Sequence, residues 1–375
     1  MAILSNFDRE NFIKHHWQQQ SLFVPQCFLA LTHCITGDDL AGLACDESVE
    51  SRIIRGAGLH GDWSCQQGPL SEDVFTTLPE QDWTLLVQGL DQWDETCRNI
   101  LEAFDFLPRW RLEDIMASFA PMGGGVGPHF DYYDVFLIQV SGTREWQLGQ
   151  RCNEQTPLQD NTQVKLLAQF DTASTINAQP GDMLYIPAGV AHWGSAITED
   201  CITLSVGFRA PSEKEIITEV LDDLVEQLSE QRRYQDTPAA IDPHPYKMNA
   251  AVHENIKNIA STLTPEIIEQ SLHQAFGRLV TQPRYSGFDS GDEKVWDIEE
   301  INALFAKYDL INLQHAPHAR FAFTQTHLFV NGDSFEVAER FSRQLCDQHI
   351  RLTTNATELA SLCYLLNEGL IIFAE

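Results

Sequence analysis

Basic side chains are scarce in this chain: 24 Lys and Arg stand against 54 Asp and Glu, for a net charge of −30. Such a surface repels a phosphate backbone and attracts basic partners, which disfavours direct nucleic-acid binding as its main task; acidity that serves solubility alone is the other reading. Long hydrophobic runs are also missing. Nothing approaches the roughly 20 consecutive apolar residues a membrane span needs. The opening "MAILSNFDRENFIKHH" has no basic segment leading into an apolar stretch and a small-residue cleavage site. It therefore does not read as a secretion signal, and a cytoplasmic location is expected. The nine cysteines are odd in number, scattered, and free of any C-x-x-C pair, as expected of reduced intracellular thiols rather than a disulfide framework or a thiolate metal site. Fixed-period repeats and low-complexity tracts are absent as well.

What is present falls into three zones. Residues 1–117 mix amphipathic helix ("NFIKHHWQQQ", "WTLLVQGLDQWDETCRNILEAF") with short apolar strands such as "SLFVPQCF". Residues 118–209 are short alternating segments broken by "GGGVGPH", "SGT", "QPGD" and "IPAG", the texture of a β-sandwich or barrel. From Pro211, "SEKEIITEVLDDLVEQLSEQ" puts Ile216, Ile217, Val220, Leu221, Leu224, Val225 and Leu228 at helical spacing behind Ser212, a face read most simply as core. A proline-containing linker (235–250) leads into further helix. From about 296 a helix, a hairpin centred on Asn331-Gly332 and a final helix outline a winged-helix-like module.

The chemistry concentrates in the middle zone. In "GPHFDYYDVFLIQVSGTREWQLG", strand alternation puts His129 and Asp131 on one face, together with Tyr133, Val135 and Leu137. An H-x-D pair alone is a weak signal. Sixty-three residues on, "QPGDMLYIPAGVAHWG" delivers His192 at the start of another short strand, a separation that lets several strands wind round and return. Two histidines and a carboxylate make the facial set used for non-haem Fe(II), leaving positions open for a cosubstrate and O₂. Zinc accepts the same ligands. Arg144, sharing a face with Trp146 and Leu148, would be an inward guanidinium in need of a buried anion. The distal carboxylate of 2-oxoglutarate is such an anion. Ser118, in "MASFAP", is a second candidate donor to it.

The stretches "SFAPMGGGVGPHFDYYDVFLIQVSGTREWQLG", "PGDMLYIPAGVAHWG" and "ITLSVGFRAP" resemble the JmjC-type, cupin-like bacterial ribosomal oxygenases. "NFIKHHWQQQSLFV" is similar to that family's N-terminal entry. The resemblance implies an α+β architecture: a double-stranded β-helix (jelly-roll) barrel over 1–210, a helical dimerisation domain over 211–295 and a winged-helix-like domain over 296–375. It implies an Fe(II)- and 2-oxoglutarate-dependent dioxygenase that hydroxylates an arginine of a large-subunit ribosomal protein, the sixteenth in the usual list, with O₂ as the other cosubstrate. It further implies His129, Asp131 and His192 as iron ligands, Arg144 with Ser118 as the cosubstrate-carboxylate site, and a homodimer.

An acidic rim would steer a basic ribosomal protein and hold the target guanidinium, with Asp134, Tyr132 and Tyr133 expected near the entrance. Residues 296–375 carry five basic against eleven acidic residues, so the winged-helix-like module is expected to meet protein rather than nucleic acid. Two other readings stay open: a same-fold oxygenase acting on another protein or a small molecule, and a non-catalytic cupin-like binding module. The complete H-x-D…H set with Arg144 weighs against the last.

Overall fold

The computed structural model describes residues 4–28, 34–160, 163–226, 228–231, 233–244, 246–285 and 294–374. The chain divides into two compact units, Met1–Ala210 with Arg284–Asp289, and Pro211–Pro283 with Ser290–Glu375.

Among the described residues the first unit holds eleven strands: β1 Leu22–Val24, β2 Ser51–Arg55, β3 Ser64–Gln67, β4 Trp83–Val87, β5 Leu112–Ala120, β6 Asp134–Ser141, β7 Arg144–Arg151, β8 Ser174–Ala178, β9 Met183–Ile186, β10 Val190–Ala196 and β11 Cys201–Phe208. Eight of them form an antiparallel sheet in the order β1-β9-β6-β11-β5-β4-β2-β3, and the other three a sheet β10-β7-β8. This is the jelly-roll architecture that the family resemblance implied, where the texture of the middle zone left sandwich or barrel open.

Strand β6 explains why the sequence there is nearly all apolar. Val135 and Leu137 join Trp146, Leu148, Leu184, Ile186 and Val190 in one buried cluster. Phe136 and Ile138 join the larger core, with Phe12, Phe104, Tyr185 and Phe208, on the other side. Both faces are covered, so both are hydrophobic.

The run Trp83–Val87, expected to begin a helix, is strand β4. Leu85, Leu86 and Val87 are all buried, and Gly89, at φ +63°, ends the extended segment before the short helices Leu90–Trp93 and Glu95–Ile100. A fully buried strand and a buried helix look alike at this length; only the glycine distinguishes them.

Asp91, at the start of that turn, is buried, and its Oδ1 accepts from the Ile115 amide at 2.8 Å. Burial pushes its carboxyl up to about 6, with Asp114 adding to the effect against the Ile115 hydrogen bond. A carboxyl raised in the folded state favours folding when protonated, so its contribution is complete below the unfolded value near 3.8 and is lost as pH rises through about 6. Asp91→Asn keeps the acceptor without the charge. Its unfolding free energy relative to wild type is expected to be near zero at pH 4 and to rise by about 2–3 kcal/mol by pH 8. Denaturant titrations at the two pH values check this; a pH-independent difference would contradict it.

In the second unit, helices Glu213–Glu226, Ala250–Ala260 and Pro265–Thr281 precede helix Ile298–Lys307 and a small β region. Gly277 lets helix Pro265–Thr281 approach Phe329 so closely that a Cβ there would lie 2.4 Å from the ring. Ser334 Oγ donates to Gln274 Oε1 at 2.8 Å. Residues 211–283 thus share one compact unit with the C-terminal segment. The hairpin His327–Val330/Asp333–Glu336 turns at Asn331 (φ 49°) and Gly332 (φ 89°) as anticipated.

The helix Glu213–Glu226 corrects another expectation. Val220 and Leu224 are buried against Ala275, but Ile217, Leu221 and Val225 are 55%, 52% and 64% exposed. Only part of its apolar face is core. Among the described residues, no helix is long and apolar enough to cross a membrane.

Candidate metal and cosubstrate site

His129 lies in the irregular segment before β6, where it makes an isolated antiparallel bridge to His192 in β10. The pairing is reciprocal: each backbone amide donates to the other's carbonyl, at 3.0 and 2.8 Å. Backbone hydrogen bonds thus bring the two imidazoles together, with ring centroids 4.2 Å apart. Asp131 is held by its own tether, its carbonyl accepting from Gly189 N at 2.8 Å.

The side chains converge. Asp131 Oδ2 lies 3.6 Å from His192 Nε2 and 3.9 Å from His129 Nε2. Among the described residues this is the one group of three or more His, Cys, Asp or Glu able to hold an ion, its three ligand atoms within 4.8 Å of one another. Each imidazole also has an orienting contact: His129 Nδ1 sits 2.9 Å from the Gly127 carbonyl and His192 Nδ1 3.0 Å from that of Val190. A carbonyl only accepts, so both Nδ1 atoms carry the hydrogen of these contacts and Nε2 is the ring atom turned toward Asp131 in each, the arrangement metal ligation uses. Burial, reinforced by the neighbouring His129, pushes His192 down to about 4 despite Asp131. It is neutral at pH 7, and no proton need leave it for a divalent ion to enter.

The inward face continues down the barrel. Register pairs His192 with Leu148, Gly194 with Trp146 and Ala196 with Arg144. Arg144 is 2% exposed, its guanidinium lies 5.7 Å from the Trp146 ring centroid, and its Nε and Nη2 have no hydrogen-bond partner. A buried cation with open donors is costly unless something anionic completes it. A carboxylate satisfies both donors at once.

On the facing sheet Ser118 is buried, and its Oγ donates to the Thr203 carbonyl at 3.3 Å. Counting by twos from Ser118 along β5 gives Met116 and Asp114 on the same face, a signal present in "EDIMAS" that sequence reading passed over. Asp114 is buried, accepting from Tyr285 Oη at 2.6 Å and Gly89 N at 3.0 Å. Tyr133 lies within reach of both carboxylates: burial first, then the charges of Asp131 and Asp114, push its hydroxyl well above the usual phenol value.

The expected entrance group is only partly realised. Tyr132 is 69% exposed and Tyr133 is largely buried. Asp134 is fully buried on the opposite face, accepting from Tyr185 Oη at 2.6 Å, Arg111 Nη2 at 3.0 Å and Gln18 Nε2 at 3.2 Å. Asp134 opens β6 one residue out of phase with Val135 and Leu137, so the strand turns it to the large core, where Arg111 compensates its charge.

Comparison with known proteins agrees with this geometry. A JmjC domain profile matches residues 99–216 and a ROXA-like winged-helix profile residues 257–365. The ribosomal protein uL16 3-hydroxylase of Escherichia coli is 31% identical over 97% of both chains. A probable ribosomal oxygenase of Haemophilus influenzae is 30% identical over 86% of this chain and 81% of its own. The solved structure of the Escherichia coli ribosomal oxygenase YcfD in complex with cobalt and 2-oxoglutarate superposes over the whole of both chains with a TM-score of 0.79 at 28% identity. With this likeness running the full length of the barrel and the C-terminal module, the chain belongs to the JmjC-domain ribosomal oxygenases, enzymes dependent on a metal ion and 2-oxoglutarate.

Proposed function

We infer that the protein hydroxylates an arginine side chain of the large-subunit ribosomal protein uL16, in the cytoplasm. His129, Asp131 and His192 would hold Fe(II), and Arg144 with Ser118 the distal carboxylate of 2-oxoglutarate. The carrying observation is the buried, open-handed Arg144 on the same inward face as the three converging ligands, in a chain so similar to a uL16 3-hydroxylase. When bound, iron and 2-oxoglutarate supply the activation of O₂ that hydroxylation of an unactivated carbon requires.

The chain's own residues do the rest. The two Nδ1–H contacts fix the ligand tautomers. Arg144 and Ser118 fix the cosubstrate's far end, and the apolar wall of Val135, Leu137, Leu184 and Ile186 keeps water out. Asp114, an inward-facing carboxyl, supplies a partner for a guanidinium, with Tyr133 near it. That choice favours arginine over a neutral target. On peptides spanning the uL16 site, 2-oxoglutarate consumption is expected to fall at least about tenfold when the target arginine is replaced by glutamine, and Asp114→Asn is expected to raise KM for the arginine peptide more than it lowers kcat. Equal turnover of both peptides would overturn the arginine reading.

The net charge of −30 suits a basic substrate, and the acidic C-terminal module suits contact with protein rather than nucleic acid. The exposed stripe Ile217, Leu221, Val225 repeats every four residues, the periodicity of a helix–helix seam, and a second copy of this chain is its proposed occupant. Leu221→Glu with Val225→Glu is expected to convert a dimer to a monomer in sedimentation. A wild type that is monomeric at micromolar concentration would remove this part of the proposal.

A further inference from the structure

Inside the barrel Ser118 begins a cross-strand row of polar residues that continues through Thr203 to Gln139. Register places Ser118 of β5 opposite Thr203 of β11, and Thr203 opposite Gln139 of β6, so the three stand side by side and point inward. One pleat further, Ala120 and Cys201 meet Ala196, the residue paired with Arg144, and close the floor.

The row is hydrogen-bonded in one direction. Thr203 Oγ1 donates to Gln139 Oε1 at 2.9 Å, and Gln139 Nε2 donates to the carbonyls of Ser141 at 2.7 Å and Gly142 at 3.3 Å. Those carbonyls form the β6–β7 turn from which Arg144 springs. The turn is otherwise tight: Gly142 has φ +62°, a Cβ there would lie 2.6 Å from Thr198 Oγ1 and 2.9 Å from Cys201 Cα, and Thr143 N donates to Thr198 Oγ1 at 2.7 Å. Gln139 is 1% exposed. Its carboxamide is engaged on both sides, the oxygen by Thr203 and the nitrogen by the turn, so it acts on the turn and leaves ligand contact to Arg144 and Ser118.

We propose that Gln139 is a positioning residue: by holding the Ser141–Gly142 carbonyls it fixes the depth of the Arg144 guanidinium relative to the His129, Asp131 and His192 end, and so selects the five-carbon 2-oxo diacid over its six-carbon homologue. This rests on Arg144 being the carboxylate site. The metal end and the guanidinium are two fixed points, and a chelated diacid must span them. A displacement of about 1 Å at one of them is enough to cost binding or rate by large factors, and one methylene is worth about 1–3 kcal/mol of discrimination in a shaped pocket.

The test is calorimetric titration of 2-oxoglutarate and of 2-oxoadipate into Mn(II)-loaded protein, which needs no turnover. Gln139→Ala and the near-isosteric Gln139→Glu both remove the donors to the turn, and each is expected to weaken 2-oxoglutarate on the order of tenfold while narrowing its preference over 2-oxoadipate. Thr203→Val, which removes one donor to Gln139 and leaves the turn bonds, is expected to shift the same ratio less, and it remains informative where a Gln139 variant fails to fold. An unchanged ratio in folded variants, even with a lower melting temperature, would make Gln139 merely structural and overturn the proposal. Arg144→Ala separates the two levels: if it leaves 2-oxoglutarate binding intact, the carboxylate-site assignment itself falls, whereas loss in Arg144→Ala with indifference in the Gln139 variants removes only the positioning role.

Discussion

Replacing His192 with alanine is expected to lower Fe(II) affinity by more than about 100-fold and to reduce 2-oxoglutarate turnover below detection. The physical reason lies in the site's economy of donors. Among the described residues the three ligand atoms have no fourth His, Cys, Asp or Glu companion to take over. His192 is also the most buried of them, its side chain 4% exposed against 22% and 23% for His129 and Asp131, so water cannot readily replace its nitrogen. The backbone bridge between His129 and His192 needs no side chain, and the variant is therefore expected to keep the fold. Metal content after dialysis against a fixed Fe(II) concentration, alongside circular dichroism, reads both. Retention of a full equivalent of tightly held metal would show that the site lies elsewhere.

The second large effect concerns Arg144 and has two opposite signs. With no anion present, its Nε and Nη2 are buried without partners, and a buried polar group left open costs about 1–3 kcal/mol. Arg144→Met keeps much of the side-chain volume and removes that cost. It is expected to leave the melting temperature in the absence of cosubstrate unchanged or raised, while weakening 2-oxoglutarate by about 3 kcal/mol, roughly 100-fold. Arg144→Lys keeps the charge but not the two-pronged geometry and is expected to fall between. A purely structural arginine would behave the other way, losing stability on substitution and leaving 2-oxoglutarate affinity where it was. Differential scanning fluorimetry with and without 2-oxoglutarate separates the two cases.

Strand periodicity makes only part of this legible in the sequence. Arg144, Trp146 and Leu148 keep their shared face within β7, and Val135 and Leu137 keep theirs within β6, whereas His129 and Asp131 lie in the irregular segment before β6 and are placed by backbone hydrogen bonds to His192 and Gly189. The same alternation turns Asp134 of β6 to the large core and puts Asp114 of β5 on the face of Ser118. What periodicity cannot give is the partner: that Arg111 and Tyr185 absorb Asp134 depends on strands and loops far away in the chain. Nor does it distinguish an apolar helix face that meets its own core from one left exposed. Ile217 and Val220 look alike in the sequence, and only the position of Ala275 separates them. The Gln139 link to the turn ahead of Arg144 was hidden for the same reason, since an inward glutamine on a hydrophobic strand reads as an isolated exception until Ser141 and Thr203 are placed around it.

The central claim is tested most directly by tandem mass spectrometry of purified uL16 after incubation with this protein, Fe(II), 2-oxoglutarate and air, with Asp131→Ala as the control. One added oxygen on the side chain of a single arginine, absent from the control, is the predicted result. An unmodified uL16 under conditions where the protein holds its metal and consumes 2-oxoglutarate, or an oxygen placed on a residue other than arginine, would contradict it.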